Sequence, residues 1–433
     1  MNAKLSARSL KNWYVIALFN LAILALLGLI LRYKINFALP FIEQENLLHA
    51  HSHFAFNGWI GFLLQLLILD EFTGDYKKSA KFWNGFFMVS TIVNYAMIVS
   101  FAWVGYAGIS IILSTIALWL SYVFAYKIYK ALHPFKNRQI STLFVKASLF
   151  FLLVSSLGPY ALGIIMATKI THPYWSHNAL FFFLHFQYNG WFTFAVLAFL
   201  FKKLETSALF NVKDARIFYI LLAGTCIPSY LFTSLWQHRP FSITIIIVIT
   251  AILQTAALYF LWKLLYKNMK NVYSNLPAIC RWLYSLAISA FILKVLLQFF
   301  SVHPAVTQLS FGFRPIIIGY LHLIFLAFIS MFLLGLMTDK KILSLNYNVT
   351  PMGLITFAAG IILNELLLAI QGFAAIHNLF LPKLNILLFA NTFILVAGAI
   401  LLFIAARKPT VHSFNAGYKL SNTEQGKFRA GKL

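Results

Sequence analysis

The chain has 433 residues, of which 61% are hydrophobic and 10% are charged, and its mean hydropathy is +0.81. A water-soluble protein of this length cannot bury so much apolar surface, so the composition predicts a protein that crosses a membrane many times. The net charge of +24 would indicate nucleic-acid binding in a soluble domain. No soluble domain interrupts the apolar pattern, so we expect a lipid bilayer and no nucleic acid as the surroundings of this chain.

Twelve apolar segments are long enough to cross a bilayer as helices. They are continuously apolar instead of alternating, which predicts an all-α bundle of about 12 transmembrane helices. The predicted spans are 13–32, 47–69, 82–104, 106–126, 140–166, 177–201, 217–236, 241–264, 282–301, 316–338, 351–377 and 385–406. One transmembrane domain, 1–406, is therefore expected, followed by a polar tail over 407–433.

The positions of the basic residues predict the orientation of this bundle. With the N-terminus inside, most of the 34 lysines and arginines fall on the inner side of the membrane, as the positive-inside rule requires. Both termini are then inside, and the chain is expected to be a multi-pass protein of the cell inner membrane. The net positive charge of the chain is therefore explained by its predicted membrane topology.

Histidines are concentrated on one side of this predicted bundle. All of the 12 histidines except His133 and His412 fall in outer loops or outer halves of spans. Three of them, His49, His51 and His53, open the second span; the first and third share one helix face, and His51 points elsewhere. Ionisable groups inside a membrane are costly and usually functional. The pattern predicts a metal or haem centre near the outer face and leaves the choice among these three open.

Further histidines lie at similar depth in other spans. His322 lies about 9 Å below the outer end of the tenth span at 1.5 Å per residue, a depth similar to that of His53. Two imidazoles from different helices can ligate a haem iron from opposite faces, or hold a copper ion. His177 and His185 in the sixth span and His238 at the end of the seventh are candidates for a second metal site.

Other polar residues also fall within or beside the spans. Lys294 and Glu365 are expected to be buried, either as an ion pair or as parts of a proton path. Arg314, just before the tenth span, suits a haem propionate because guanidinium grips carboxylates with two parallel bonds. The two Asn-Gly-Trp elements at 57–59 and 189–191 favour close helix packing.

Two short stretches resemble subunit I of the haem–copper oxidase superfamily, which includes cytochrome oxidases and nitric-oxide reductases. The stretch 174–183, Tyr-Trp-Ser-His-Asn-Ala-Leu-Phe-Phe-Phe, resembles the helix-6 copper motif, and 319–323, Gly-Tyr-Leu-His-Leu, resembles the helix-10 histidine pair. The resemblance implies haem and copper cofactors. It makes His177 a copper ligand, His322 a low-spin haem ligand, and His53 or His49 the opposite haem ligand.

The chain also departs from the family pattern. Gln237-His238 stands where the family has two adjacent histidines, and Tyr320 stands where the high-spin haem ligand is expected. Phe181 replaces a tyrosine of the helix-6 motif, and Tyr230 is an approximate substitute from the seventh span. The low-spin haem site therefore survives the comparison better than the two-metal centre, for which Tyr320 and Tyr230 are the catalytic candidates.

These observations favour a redox protein that transfers electrons and reduces oxygen or nitric oxide near the outer face. Two other classes stay open: a non-catalytic haem or copper protein for metal handling or nitric-oxide tolerance, and a secondary transporter with a histidine-lined site. The only cysteines, Cys226 and Cys280, form neither a c-type haem box nor a copper-binding pair. Electrons must then come from a partner protein or a quinol, and other membrane subunits are further candidate partners.

Overall fold

The structure is a computed structural model that describes residues 2–74, 76, 79–132, 139–170, 172–237, 239–379 and 381–409, with the backbone alone for 2–8 and 309–311. Across these residues the chain is helical and contains no strand, which confirms the predicted all-α class. Most of the predicted tail, from residue 410 onward, lies outside the described residues, as does His238.

The helices follow one another in chain order. The first nine are α1 Asn2–Asn36, α2 Gln44–His53, α3 Phe62–Ile68, α4 Ala80–Val104, α5 Gly108–Leu132, α6 Ile140–Ser155, α7 Leu157–Ala167, α8 Pro173–His185 and α9 Thr193–Leu204. The remaining eight are α10 Val212–Cys226, α11 Phe241–Tyr273, α12 Ala278–Phe300, α13 Pro304–Gly312, α14 Arg314–His322, α15 Met331–Asp339, α16 Val349–Ile376 and α17 Lys383–Arg407.

Within the described residues, ten helices are long and apolar enough to cross a membrane. An eleventh span forms if α10 and the 3₁₀-helix Pro228–Ser234 are counted together across their 45° bend. The predicted span 177–201 is helical throughout, but it is not among these, because His185, Gln187 and Asn189 make its middle polar. The multi-pass prediction is therefore confirmed, with ten or eleven clearly apolar crossings.

Contacts between α1 and α17 show how the two ends of the described chain are placed. Lys11 Nζ donates to the Lys408 carbonyl at 2.7 Å, and Asn36 Nδ2 donates to the Asn385 carbonyl at 3.2 Å. The two helices are thus antiparallel, and the chain enters and leaves at one end of the bundle. We call this the basal end, and the opposite end, where α1 ends and α2 begins, the distal end.

Three helices change to π-helix immediately after a histidine. The π segments are Phe54–Gly61 after His53, Phe186–Phe192 after His185 and Leu323–Ser330 after His322. A π-helix leaves some carbonyls without their usual intrahelical partner, and such segments are frequent at functional sites. Neighbouring side chains bind these oxygens here, since Asn20 Nδ2 donates to the Gly58 carbonyl at 2.7 Å.

The three π segments meet in the middle of the bundle. The ring centroids of Phe56, Phe192 and Phe325 lie 5.0–6.3 Å from one another, so one ring from each segment packs against the other two. Trp59 Nε1 donates to Ser330 Oγ at 2.9 Å and links two of the segments directly. Polar groups on these helices are therefore held at fixed positions around an aromatic centre.

A set of ion pairs, which we call the basal network, joins the same helices at the basal end. Lys202 Nζ lies 3.0 Å from Glu71, and Lys340 pairs with both Glu71 and Asp70, the latter at 3.5 Å. Lys203 pairs with Asp339. The network ties the π segment Leu69–Thr73 to α9 and α15.

Replacing Gly158 by alanine is expected to destabilise the protein by about 1–3 kcal/mol, the range for an overpacked interior. A Cβ there would lie 2.6 Å from the Ala179 carbonyl oxygen, so α7 and α8 would have to separate. Gly163 lies in the same helix, and a Cβ there meets nothing within 4 Å. Thermal unfolding in detergent should therefore show no loss for Gly163→Ala; equal stability of the two variants would contradict this account of the helix contact.

Candidate functional site

His51 and His322 are brought to one site by α2 and α14. The His51 ring packs on α1, where a Cβ added to Gly28 would lie 3.4 Å from its Cε1 atom. His51 Nδ1 is buried and has no hydrogen-bond partner in the part of the chain that the structure describes, although buried polar atoms are nearly always paired. His322 is close enough to His51 to interact with it electrostatically. Two spans thus supply two imidazoles to one site.

The backbone of α14 fixes the orientation of the His322 ring. His322 Nδ1 lies 2.9 Å from the Ile318 carbonyl oxygen, and because that oxygen can only accept, Nδ1 carries the proton. In the neutral ring the lone pair is then on Nε2, the arrangement in which a histidine binds a metal. Nε2 forms no hydrogen bond to the described residues.

Two arginines add positive charge beside these histidines. Arg32 of α1 interacts electrostatically with His51, His322 and Arg314. No ion pair among the described residues involves either arginine. Two guanidinium groups without a carboxylate suit an anionic group such as a haem propionate. Arg32 was not a sequence candidate, although it is a lone arginine at the distal end of an apolar helix.

His49 and His53 face α4 and the loop after it. The His53 ring stacks on Phe101 at 4.2 Å, and its Nε2 lies 3.0 Å from the Tyr106 hydroxyl. Burial raises the pKa of Tyr106, so its phenol stays protonated at neutral pH and can donate this bond. His49 lies 3.6 Å from Glu45 and against the Tyr106 ring.

The predicted pairing of His53 with His322 stays a prediction, and the contacts that the structure gives the His53 ring are with Phe101 and Tyr106. Residues two apart on a helix point to nearly opposite sides, so placing His53 against α4 turns His51 toward α1 and α14. Of the three histidines that open the second span, His51 is the one that interacts electrostatically with His322.

His177, the copper ligand predicted from the helix-6 resemblance, lies at the surface of the bundle. His177 is exposed, and its Nδ1 donates to the Pro173 carbonyl at 2.8 Å. The next residue, Asn178, contacts the seventh span instead: its carbonyl accepts from the Tyr230 hydroxyl at 3.1 Å, and its Oδ1 accepts from Gln237 at 3.4 Å. Tyr230 therefore has a packing role at this contact.

Both ring nitrogens of His185 are already engaged by protein groups. Nδ1 accepts from Asn189 Nδ2 at 3.0 Å, and Nε2 donates to the Cys226 carbonyl at 2.9 Å, with Ser229 Oγ at 3.4 Å. In the described part of the chain, no group of three or more His, Cys, Asp or Glu side chains is arranged to hold a metal ion. Of the side chains predicted to bind copper, His177 and His185 belong to no such group, and His238 lies outside the described residues.

Two buried tyrosines lie near the central π segments. The Tyr320 hydroxyl is buried without a partner, and its ring centroid is 6.4 Å from that of Tyr188. Tyr188 is in turn 6.4 Å from the His185 ring. Tyr320 thus faces the sixth span, while His322, two residues later, interacts with α1 and α2.

Lys294 and Glu365 do not form the predicted ion pair. None of the ion pairs found among the described side chains contains either residue. Glu365 accepts a hydrogen bond from the neighbouring Asn364 at 3.1 Å, and Lys294 lines a small cavity beside Cys226. A proton path through either residue remains a prediction.

No protein-family model matches the chain. No curated protein matches it either. A solved structure is similar: a heme-copper terminal oxidase dimer determined by cryo-EM, with a TM-score of 0.60 and 11% sequence identity, over 94% of this chain and 86% of that chain. At this identity the likeness concerns the fold alone. The chain is thus a multi-pass membrane protein with a fold similar to that of a heme-copper terminal oxidase.

Proposed function

We propose that this chain is a membrane redox protein that binds one haem between His51 and His322 and transfers electrons through it. The observation that carries the proposal is that two imidazoles from different spans lie within electrostatic range of each other. One has a buried nitrogen without a partner among the described residues, and the other has its Nδ1 proton fixed on the backbone. A haem held by two histidines is a one-electron carrier whose potential depends on its ligands and on burial.

The neighbouring residues have distinct roles in this proposal. The bond from His322 Nδ1 to the Ile318 carbonyl keeps the ring in one rotamer and keeps the Nε2 lone pair available. Gly28 lets the His51 ring lie against the backbone of α1, where an added Cβ would touch the ring at 3.4 Å. Arg32 and Arg314 supply the positive charge that two propionates require.

Electron transfer is better supported than reduction of oxygen or nitric oxide at a haem–copper pair. A haem held by both His51 and His322 would supply one-electron transfer and leave no iron position open to oxygen or nitric oxide. His177 is exposed and both ring nitrogens of His185 have protein partners, so these two residues give a copper ion little support. The electron donor is then a separate protein or a quinol, and the basal end faces the cytoplasm if the positive-inside pattern holds.

The proposal is tested on the purified full-length protein by its reduced-minus-oxidised absorbance spectrum and by haem quantification. We expect one haem per chain, with the bands of a six-coordinate low-spin haem and no change on adding carbon monoxide. A carbon-monoxide-sensitive band would favour the oxygen- or nitric-oxide-reducing alternative. Absence of haem after expression with added haem precursor would overturn the proposal and favour the transporter class.

A further inference from the structure

A second buried site lies apart from the two histidines, where the sixth-span helix meets α10, α11 and α12. It is a cavity of about 10 Å³, which is room for about one water-sized ligand. Its polar lining consists of Asn189, Thr193, Cys226, Ser229, Gln254 and Lys294. We call this cavity the Lys294 pocket.

Lys294 is a cation without a counter-ion in this pocket. Only 4% of the residue is exposed, and no ion pair or hydrogen bond joins its ammonium group to any described residue. The centroid of the Phe291 ring lies 5.8 Å from Nζ, and such a ring is only a weak substitute for a negatively charged partner. Burying an unpaired charge is costly, so a lysine at such a depth normally has a partner.

The other polar side chains of the pocket provide hydrogen-bond donors that are not in use, and none of them carries a negative charge. His185 and the hydroxyl of Ser229 both use the Cys226 carbonyl as their acceptor. Gln254 is buried, and its amide has no hydrogen bond to the described residues. No carboxylate lines the cavity. A ligand here therefore meets an ammonium group and an amide, both of which can donate hydrogen bonds.

The side-chain oxygen of Asn189 is a further unpaired acceptor beside the pocket. Asn189 donates its Nδ2 to His185, and its Oδ1 atom is buried without a hydrogen-bond partner among the residues that the structure describes. An ammonium group has three N–H donors, so Lys294 can serve both this oxygen and a bound anion. The pocket therefore has the donors and the charge that a monatomic anion requires.

We propose that the Lys294 pocket binds one small monovalent anion of halide size, held by the Lys294 ammonium and the Gln254 amide. The site does not depend on haem, because none of its lining residues belongs to the His51–His322 site. Its ligand neutralises a buried charge between four spans and fixes the sixth span against α12.

The test uses the purified full-length protein in detergent, first dialysed into gluconate, an anion too large for the pocket. Radioactive chloride is then added, and binding is measured at equilibrium. We expect saturable binding of one chloride per chain, with affinity reduced at least about tenfold in Lys294→Met. Lys146→Met is the matched control, since Lys146 also lies within an apolar helix but outside the pocket, and it should bind like the wild type.

A second measurement keeps the test decisive if Lys294→Met does not fold. Bromide replaces chloride, and its position in the wild-type protein is found by anomalous X-ray scattering; density beside Lys294 Nζ supports the proposal. Gln254→Leu should weaken binding in the same direction. Three results would each overturn the proposal: no saturable chloride binding, bromide located elsewhere, or equal binding by Lys294→Met and Lys146→Met. Lys294 would then be explained as a lysine that is hydrated or uncharged in its pocket.

Discussion

Replacing His322 by alanine is expected to empty the haem site, and His51→Ala should have the same effect. Each change removes one of two ligands, and since loss of a supporting hydrogen bond alone weakens metal binding by about 10–100-fold, loss of a ligand should exceed that range. Haem content per purified chain and the reduced-state absorbance band are the measurements. We expect both to fall to near zero at the protein concentrations used for purification.

His53→Ala provides the matched control, because His53 lies in the same turn of the same helix. Its ring stacks on Phe101 and bonds to Tyr106, on the side of α2 that faces α4. We expect this variant to keep its haem. The opposite result, with haem lost from His53→Ala and kept by His51→Ala, would restore the pairing expected from sequence and contradict the one proposed from the structure.

A conservative variant separates ligand loss from misfolding. Methionine at position 322 can still bind iron, and a thioether ligand raises the reduction potential relative to imidazole. His322→Met is therefore expected to retain haem with a shifted spectrum and a higher potential. An unchanged spectrum and potential in a folded His322→Met protein would show that position 322 does not contact the iron.

Replacing Lys340 by methionine is expected to lower the free energy of unfolding by about 3 kcal/mol, as when one partner of a buried ion pair is removed. Lys340 pairs with both Asp70 and Glu71 at the basal end, and its side chain is 15% exposed. Without it, two adjacent carboxylates share the remaining cation, Lys202. Denaturation in a detergent titration measures the loss, and Lys341→Met, at an exposed neighbouring position, should cost far less.

The same ion pairs predict an alkaline limit to stability. Burial by itself lowers the pKa of Lys340, but attraction to Asp70 and Glu71 outweighs burial and raises it above its ordinary value of 10.5. A raised pKa means that the folded state holds the proton more tightly, so the stabilisation is complete below pH 10.5 and is lost as the pH rises through the folded-state pKa. The wild type should therefore lose stability in this range more steeply than Lys340→Met; parallel curves would contradict the role given to this lysine.

The sequence by itself determined the helical class and the predicted depth of the histidines. Continuous apolar runs can satisfy their backbone in lipid only as helices, so the helical class and the approximate bounds of most spans could be predicted before any contact was known. Twelve spans were expected, and ten or eleven are found among the described residues. The similarity between residues 53–59 and 185–191, which both read His-Phe-x-x-Asn-Gly-Trp, also marks two places where π-helix begins. A third π segment, after His322, has no such signature.

The tertiary structure decided which way each side chain points. Depth follows from counting residues along a helix, but direction depends on how each helix is rotated against its neighbours, and a π segment changes that rotation within one turn. The contacts of His53 with Phe101 and Tyr106, the charge of Arg32 near His51, and the position of Lys294 at a cavity all depend on such rotations. Packing between helices that are distant in the chain sets these angles, and no local pattern of residues encodes them.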